Sequence, residues 1–484
     1  MPSVALNNPT NFGKWRWLPT AGWSLVVTAT FSIAIYLVNL PIALLSCLVI
    51  LCSRTLVQKT VDLFHMRRVT IASFWYLTYL AMIFFPAFFV FADQEGPYRG
   101  QYLLAVESVL ISVPLGWWLA KCQFHYQKTE VERYFLSPVS DSDITTFFSL
   151  RFKMLILAAI GLTALYMREV ETIPLFYLLK NPGEYLQLAL LREDSFKLLN
   201  SRFFYFYYIL RQFLYPFLIM VALGCYLRTR QKKWLALFLL CFFMGLFYNS
   251  LTLAKAPVAF IMLLVGVFSY LYRGGMLNRR LIAVVLALAL VFPVAVIVSV
   301  SSEDVGVQLA LRGIGYRLFY LPAEIVYYYY EVFPTHVPYL HGRSINKLAG
   351  VLGLPYFDTT SYVGRYGYPV GLETVNANGA FIGDLNADFG FWGDLFGGVL
   401  AGYLMQMMHI YLVRSKKTVP NVACYAFLVV AFWYLHSAPL PIVLASNGAL
   451  LAFVLKWFLE HGPMGMSAKP RQAAIVPQKL VDRA

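Results

Sequence analysis

The stretch LVVTATFSIAIYLVNLPIALLSCLVILC, from Leu25 to Cys52, contains no charged side chain and decides the fold class of this chain. A helix needs about 20 mostly apolar residues to cross the hydrocarbon core of a bilayer. With its flanks, this stretch is long enough for two such helices, and only Asn39 and Pro41 interrupt it. No small-residue cleavage site is present, so we predict two consecutive membrane spans rather than a removed signal peptide.

The chain as a whole is also strongly apolar. Of its 484 residues, 60% are hydrophobic and 13% are charged, and the mean hydropathy of +0.64 lies far outside the range of soluble globular proteins. We predict an all-α polytopic membrane protein, a single integral membrane domain over residues 1–484, with about 12 transmembrane helices. The predicted spans are 18–37, 40–53, 71–92, 102–120, 147–167, 203–227, 234–250, 256–272, 281–300, 380–412, 421–438 and 442–459.

The net charge of +15 would suggest a nucleic-acid partner in a soluble protein. With the N-terminus placed in the cytoplasm, however, most lysines and arginines fall in inner loops and tails, such as RTRQKK (228–233) and VRSKK (413–417), while the outer loops are acidic. This is the bias expected from the positive-inside rule. It predicts cytoplasmic N- and C-termini and no nucleic-acid partner.

Two predicted outer loops are long. The first, residues 168–202, contains PGEYLQLALLREDSFKLL, which is amphipathic at helical spacing. The second, residues 301–379, is the longest non-spanning segment. We predict that the cytoplasmic tail, residues 460–484, is disordered. The sequence shows no internal repeat, which argues against a transporter, because many transporter folds are built from two related halves.

The span at 380–412 is rich in small residues. Pairs and triplets spaced by four residues allow close helix contact in lipid. They are Gly379, Gly383 and Ala387, then Gly393 and Gly397, then Gly398 and Gly402. Helix packing does not account for Asp384 and Asp388, which share one helix face near the outer end of the span. We predict that these two carboxylates contact sugar.

Several basic residues are candidates for an anion site, because a charge inside a membrane domain needs a partner or a function. Arg211 lies roughly 13 Å into its span. It either pairs with a carboxylate such as Glu107 or faces an anion-binding cavity. Guanidinium groups offer two parallel donors that match phosphate oxygens. A solvated surface position is the alternative for Arg192 and Arg202, and a lysine that reaches the lipid headgroups is the alternative for Lys255. The predicted diphosphate-binding set is Arg192, Arg202, Arg211, Lys255, Arg312, Arg317 and Arg343.

The densest polar and aromatic set lies in LRGIGYRLFYLPAEIVYYYYEVFPTHVPYLHGRS (311–344). Pro322 suits the first turn of a helix. One face of that helix would then carry Glu324, Tyr327, Tyr328 and Glu331. Aromatic rings stack on the apolar faces of sugars, and carboxylates and phenols bind sugar hydroxyls. We predict sugar contacts for Tyr320, Tyr327 and Tyr328, with a tyrosine belt at the lipid interface as the alternative.

The candidates for a general base are Glu324, His341 and Glu373, with Asp358 as a further carboxylate. His336 and His341 are the two histidines of the large loop, and either could instead be structural. Neither has a second ligand at a metal-site spacing, and the chain has no HExxH, CxxC, Walker or GxGxxG motif. We therefore predict no metal and no cofactor.

Together these features resemble the bacterial oligosaccharide repeat-unit polymerases, the O-antigen polymerases of the Wzy type. The likeness covers roughly residues 140–412 and consists of layout with loose motifs. These are outer-loop arginines (Arg192, Arg202), a lysine at an outer hairpin (Lys255), an R-x-F-Y pattern (Arg317 to Tyr320), a segment from Phe333 to Ser344, and a small-residue span from Asn376 to Gly393. O-antigen ligases, which are related class C membrane glycosyltransferases, share much of this layout.

The resemblance implies a reaction at the periplasmic face of the bacterial inner membrane. A glycan on undecaprenyl diphosphate would be transferred to a second lipid-linked repeat unit, without a metal, and undecaprenyl diphosphate would leave. Glu324 or His341 would accept the proton of the attacking hydroxyl. The implied partners are the lipid-linked donor and acceptor, membrane lipid, a chain-length regulator and a flippase. An O-antigen ligase and a lipid-linked oligosaccharide flippase or exporter stay open as alternatives.

Overall fold

The computed structural model describes residues 18–64, 68–140, 144, 146–181, 204–253, 255–276, 306–368 and 377–461, together with single positions between these ranges. Every regular element within them is helical. The helices are α1 (Leu18–Leu37), α2 (Leu40–Thr60), α3 (Ile71–Tyr79), α4 (Phe85–Asp93), α5 (Arg99–Gln123), α6 (Lys128–Leu136), α7 (Thr146–Glu169), α8 (Pro174–Lys180), α9 (Phe204–Ile209), α10 (Tyr215–Thr229), α11 (Lys232–Ser250), α12 (Lys255–Tyr272), α13 (Val307–Phe319), α14 (Leu321–Val332), α15 (Asn346–Val351), α16 (Thr359–Gly367), α17 (Phe381–Arg414), α18 (Val419–Ala431), α19 (Leu440–Leu444) and α20 (Ala449–Glu460).

The described residues contain ten helical segments that are long and apolar enough to cross a membrane. They are Thr20–Leu37, Leu40–Thr60, Ile71–Asp93, Arg99–Gln123, Phe148–Glu169, Tyr205–Thr229, Lys232–Ser250, Phe381–Arg414, Val419–His436 and Leu440–Glu460. The prediction of an all-helical multi-pass protein is therefore confirmed. A shorter apolar helix, Pro257–Tyr272, coincides with the predicted span 256–272. The predicted span 281–300, apart from single positions, and the tail beyond residue 461 lie outside the described residues.

Contacts between the ends of the helices define two ends of the bundle. At one, the loop end, the Tyr320 hydroxyl donates to Asp93 at 2.7 Å. At the other, the basic end, Lys128 pairs with Asp62 at 2.8 Å. Arg414 also pairs with Glu130 there, at 2.7 Å. The described segments 306–368 and 377–380 thus pack on one end of the bundle, away from these ion pairs.

Two spans contain a π-helical turn shortly before a proline. The turn Leu80–Phe84 joins α3 to α4 ahead of Pro86, and the turn Leu210–Leu214 joins α9 to α10 ahead of Pro216. Proline cannot donate to the helix ladder and its ring crowds the carbonyl four residues earlier. The helix accommodates this by widening for one turn. Arg211 lies in the second of these turns.

The predicted span 380–412 coincides with a segment long and apolar enough to cross a membrane, but α17 is not one straight helix, because it is broken at Gly390. This glycine has φ 63° and ψ −161°, a conformation open almost only to glycine. A Cβ on Gly393 would lie 2.5 Å from the Leu385 carbonyl oxygen. Residues eight apart in a straight helix would be about 12 Å apart. The arm 381–389 therefore folds back against the arm 391–414, and α17 is a helical hairpin.

The small residues in α17 and just before it serve three kinds of contact. A Cβ on Gly398 would meet Ser112 of α5, and one on Gly402 would meet the backbone of Val113. This confirms the predicted close helix contact for Gly398 and Gly402, which lie against α5. Gly393 and Gly397 instead face Leu385, so they let the two arms of the hairpin approach. Gly379 and Gly383 lie against the Tyr329 ring of α14.

Candidate functional site

Helix α14 carries the predicted sugar-binding face, and it is packed inside the bundle at the loop end. Pro322 occupies its first turn, as the sequence predicts, and most side chains from Pro322 to Val332 are buried. The Tyr102 hydroxyl of α5 donates to the Ala323 carbonyl at 3.0 Å. The Tyr330 hydroxyl donates to Asp394, on the long arm of the hairpin. These contacts fix α14 against α5 and α17.

Glu324 is the most enclosed carboxylate of this face. The hydroxyls of Tyr316 and Tyr368 both donate to its Oε2, each at 2.7 Å. Its Oε1 has no hydrogen-bond partner among the described residues, and the residue is 9% exposed. One carboxylate oxygen is thus held by two phenols while the other is able to accept a hydrogen bond from a ligand.

Phenol–carboxylate pairs recur around Glu324. The Tyr320 hydroxyl donates to Asp93, and the Tyr327 hydroxyl donates to Glu331 at 2.8 Å. Burial, together with the neighbouring carboxylates, raises the pKa of the Tyr316, Tyr320, Tyr327 and Tyr368 phenols above the usual range. The phenols therefore stay protonated and act as donors.

Aromatic rings extend this set towards the surface. Tyr316 and Tyr320 stack with centroids 5.3 Å apart. Tyr328 meets Tyr368 edge-on at 5.6 Å, and Tyr366 lies 5.1 Å from the ring of His336. His336, Tyr316 and Tyr366 are exposed. We call the set Asp93, Tyr316, Tyr320, Glu324, Tyr327, Tyr328, Glu331, Tyr366 and Tyr368 the tyrosine–carboxylate site.

Two of the predicted diphosphate ligands lie beside this site. Arg312 and Arg317 are exposed on α13, whose Tyr316 holds Glu324. Neither guanidinium forms an ion pair with a residue that the structure describes, so both are able to contact an anion. Arg343 differs, because its Nε donates to the Pro355 carbonyl at 3.0 Å.

Asp388 does not extend into the tyrosine–carboxylate site. Its Oδ1 accepts from the backbone amides of Gly342 at 2.9 Å and Ser344 at 3.2 Å, and its Oδ2 accepts from the Ser344 hydroxyl. His341 and Gly342 have φ of 53° and 92°, and successive residues of this kind turn their amides towards an anion. Asp388 is thus the anion in a backbone nest, and its predicted contact with sugar stays a prediction.

The same loop compensates the break in α17. The amides of Leu340 and His341 donate to the carbonyls of Ala387 and Asp388 at 2.9 and 3.0 Å. Close to the turn at Gly390 these carbonyls have lost their helical partners. The backbone of His341 therefore has a structural contact, and its side chain is exposed. The structure does not bring the His341 side chain to Glu324.

We expect Asp388→Ala to release this loop. The change removes an acceptor of three hydrogen bonds, and bonds to a charged group contribute about 1.5–3 kcal/mol each. Amide hydrogen exchange should accelerate strongly in the segment 339–346 and remain unchanged in α5. Ser344→Ala, which removes one of the three bonds, should produce a smaller acceleration in the same segment. Equal protection in Asp388→Ala and the unmodified protein would contradict the nest.

The other predicted site residues are placed as follows. Asp384 is buried in the short arm and accepts from the Thr359 hydroxyl at 3.0 Å. Asp358 caps α16, since the Ser361 amide donates to it at 3.1 Å, and its predicted role as a base stays a prediction. Arg192, Arg202, Glu373 and the side chain of Lys255 lie outside the described residues.

Arg211 belongs to a different neighbourhood. Its guanidinium interacts electrostatically with the phenols of Tyr166, Tyr208, Tyr248 and Tyr434. Its π-helical turn packs mainly on α7, α9, α10 and α11, whereas α14 packs on α4, α5, α13, α16 and α17. Glu107, the predicted alternative partner, accepts from Ser46 of α2 instead. Arg312 and Arg317 thus share helix α13 with Tyr316 of the tyrosine–carboxylate site, whereas Arg211 packs among other helices.

Sequence reasoning missed several residues of this site and of the contacts that hold α14. Asp93 and Tyr102 lie in other spans, and Tyr368 is 44 residues from its partner Glu324. Tyr316 is eight residues before Glu324, within the quoted segment, so the aromatic density of that segment was the available signal. Asp394 accepts a hydrogen bond from Tyr330. It lies in a mostly apolar span, and no pattern in the sequence indicated this contact.

Within the described ranges, no three His, Cys, Asp or Glu side chains lie close enough together to hold a metal ion. Comparison of the chain with protein-family models, with curated proteins and with solved structures found no match.

Proposed function

We propose that this chain is a membrane glycosyltransferase that polymerises undecaprenyl-diphosphate-linked oligosaccharide repeat units into a surface polysaccharide. In this proposal it lies in the bacterial inner membrane with about 12 spans, both termini are cytoplasmic, and the loop end faces the periplasm. The observation that carries the proposal is Glu324, with one oxygen held by Tyr316 and Tyr368 and the other available. It lies among phenols and carboxylates of the kind that bind sugar hydroxyls.

The chemistry requires a base and a stabilised leaving group. Glu324 Oε1 would accept a hydrogen bond from the attacking hydroxyl of the acceptor sugar and take its proton as the glycosidic bond forms. The bond between the donor sugar and the diphosphate breaks at the same time. Arg312 and Arg317, exposed on α13, would stabilise the charge that develops on the departing diphosphate.

Transport of lipid-linked oligosaccharide is the second candidate, and the hairpin in α17 favours it. Broken helices with buried polar groups line substrate and ion sites in many transporters. Here the hairpin buries Asp384 and Asp394, and one oxygen of Asp394 has no partner among the described residues. One assay distinguishes the polymerase from the transporter by its outcome.

The test is reconstitution of the purified protein in vesicles with a synthetic lipid-linked repeat unit as the sole sugar substrate. A ladder of products that grows by one repeat unit supports the polymerase. Translocation of the lipid without elongation would replace the proposal with a flippase. Inertness until a different acceptor is supplied would replace it with a ligase.

Arg317→Ala should lower the rate of ladder formation by about tenfold to a hundredfold, because a charge-assisted hydrogen bond contributes about 1.5–3 kcal/mol. Arg312→Ala should act in the same direction. Lys232→Ala, an exposed lysine at the opposite end of the bundle, is the matched control and should leave the rate unchanged. Unaltered ladders from the double variant R312A/R317A would remove these arginines from the proposed site.

A further inference from the structure

The loop end carries a small lobe whose tip is apolar and exposed. The residues VLGLPY, from Val351 to Tyr356, are six consecutive exposed positions. Val351 is 84% exposed and Leu352 is 51% exposed. A contiguous exposed apolar surface of this kind usually marks a contact with lipid or protein. We call these six residues the apolar lobe.

The apolar lobe is an ordered part of the fold. The Leu354 amide donates to the Ala349 carbonyl at 2.9 Å, and the Phe357 amide donates to the Arg343 carbonyl at 3.0 Å. Gly353, with φ 66°, makes the turn that follows α15. The apolar side chains are therefore held outwards by hydrogen-bonded backbone, so their exposure is not that of a fraying end.

The position of the apolar lobe connects it to the lipid-facing surface of the bundle. Its supporting loop is bonded to Ala387 and Asp388, at the turn of the α17 hairpin. Immediately after this turn, α17 exposes Trp392 and Phe396, whose rings stack 6.0 Å apart. Exposed apolar side chains on a spanning helix face lipid, and tryptophan is enriched at the level of the headgroups. The exposed surface of the span thus continues towards the lobe.

Arg343 contacts the backbone of the apolar lobe. Arg343 Nε donates to the Pro355 carbonyl, which places the guanidinium against the lobe and leaves its terminal nitrogens available. An apolar tip backed by arginine matches a phospholipid, whose acyl chains accept the apolar side chains while its phosphate binds the guanidinium. We propose that the apolar lobe inserts into the bilayer leaflet at the loop end, with Arg343 at the level of the lipid phosphates.

Insertion would also give the nest around Asp388 an anchor. The residues that form the nest, Gly342 and Ser344, flank Arg343 in the chain, so a lobe fixed in the leaflet holds them at constant depth beside the hairpin. This consequence is independent of the enzymatic activity proposed above.

Depth-dependent fluorescence quenching tests the proposal without an activity assay. The six native cysteines are free and would be replaced in the full-length chain before Leu354→Cys is introduced and labelled with the dye NBD. In vesicles of phosphatidylcholine and phosphatidylglycerol, the label should show a blue-shifted emission and strong quenching by lipid carrying a nitroxide near the headgroup. Thr335→Cys, an exposed position of the same loop end, should be quenched by aqueous iodide instead.

Two outcomes would overturn the proposal. Equal iodide quenching at positions 354 and 335 would show that the apolar lobe lies in water. Protection from both quenchers, together with a disulfide cross-link between two copies of the unlabelled L354C protein, would show that a second copy covers it. Arg343→Gln should reduce the quenching by nitroxide lipid at position 354, and more in vesicles that contain phosphatidylglycerol than in pure phosphatidylcholine.

Discussion

Glu324→Gln is expected to lower the rate of repeat-unit addition by about a hundredfold to ten-thousandfold, the usual contribution of a general base. Glutamine has nearly the same shape, so Tyr316 and Tyr368 keep a partner and α14 remains packed. The change removes the charge that attracts the proton of the acceptor hydroxyl. The measurement is the initial rate of ladder formation in vesicles at saturating lipid-linked substrate. Yield and thermal stability of the variant should match those of the unmodified protein.

Glu331→Gln is the matched control for this result. Glu331 lies on the same helix and also accepts from a tyrosine, Tyr327, but two turns away from Glu324. Glu331 would contact sugar and would not take the proton, so its loss should lower the rate by much less than the loss of Glu324. Comparable losses in E324Q and E331Q would indicate a general electrostatic effect of the tyrosine–carboxylate site. Full activity in E324Q would exclude Glu324 as the base.

Tyr316→Phe and Tyr368→Phe probe the same carboxylate from its other side. Each change removes one of the two hydrogen bonds to Oε2 while keeping the ring. The carboxylate then loses one fixed contact, so its free oxygen is positioned less well for the acceptor. We expect both variants to lower the rate less than E324Q does.

The transmembrane spans could be predicted from sequence because hydrocarbon imposes one requirement on every residue of a span. A run of about 20 apolar residues with few charges satisfies it, and Leu40–Thr60 or Lys232–Ser250 meet it without further information. The hairpin at Gly390 was not predictable in this way. Both of its arms are rich in small residues, and the apolar residues around Asp384 and Asp388 continue without a break into the long arm, so the pattern does not show where the chain turns. Only the backbone conformation of Gly390 separates the two structures.

The site was predicted in part, for a related reason. Helical spacing placed Glu324 and Tyr328 together, because that relation depends on one helix alone. Glu324 accepts a hydrogen bond from Tyr368, and Tyr320 donates one to Asp93. Both of these partners lie on other segments of the chain. The role of Asp388 depends on amides of Gly342 and Ser344. Backbone amides carry no signal in the sequence, so a carboxylate in a nest and a carboxylate that contacts sugar look alike.

Close contact between α5 and α17 leads to the second large effect, on stability. A Cβ on Gly402 would overlap the Val113 carbonyl of α5, and one on Gly116 would overlap the Val399 carbonyl of α17. These obstacles are backbone atoms, which cannot rotate away as a side chain can. The two helices would have to move apart, and in lipid their association depends on such packing. Overfilling a packed interior costs about 1–3 kcal/mol and occasionally more, and we expect Gly402→Ala at the upper limit.

A graded series of glycine substitutions makes the argument quantitative. Gly161 of α7 has open space where its Cβ would be, so Gly161→Ala should be neutral or stabilising by up to about 1 kcal/mol through helix propensity. Gly398→Ala would meet chiefly the Ser112 side chain, which is able to rotate, so its cost should be intermediate. The free energy of unfolding in mixed detergent micelles should therefore fall in the order G161A, G398A, G402A. If G402A were as stable as G161A, the backbones of α5 and α17 could not approach as closely as the structure shows.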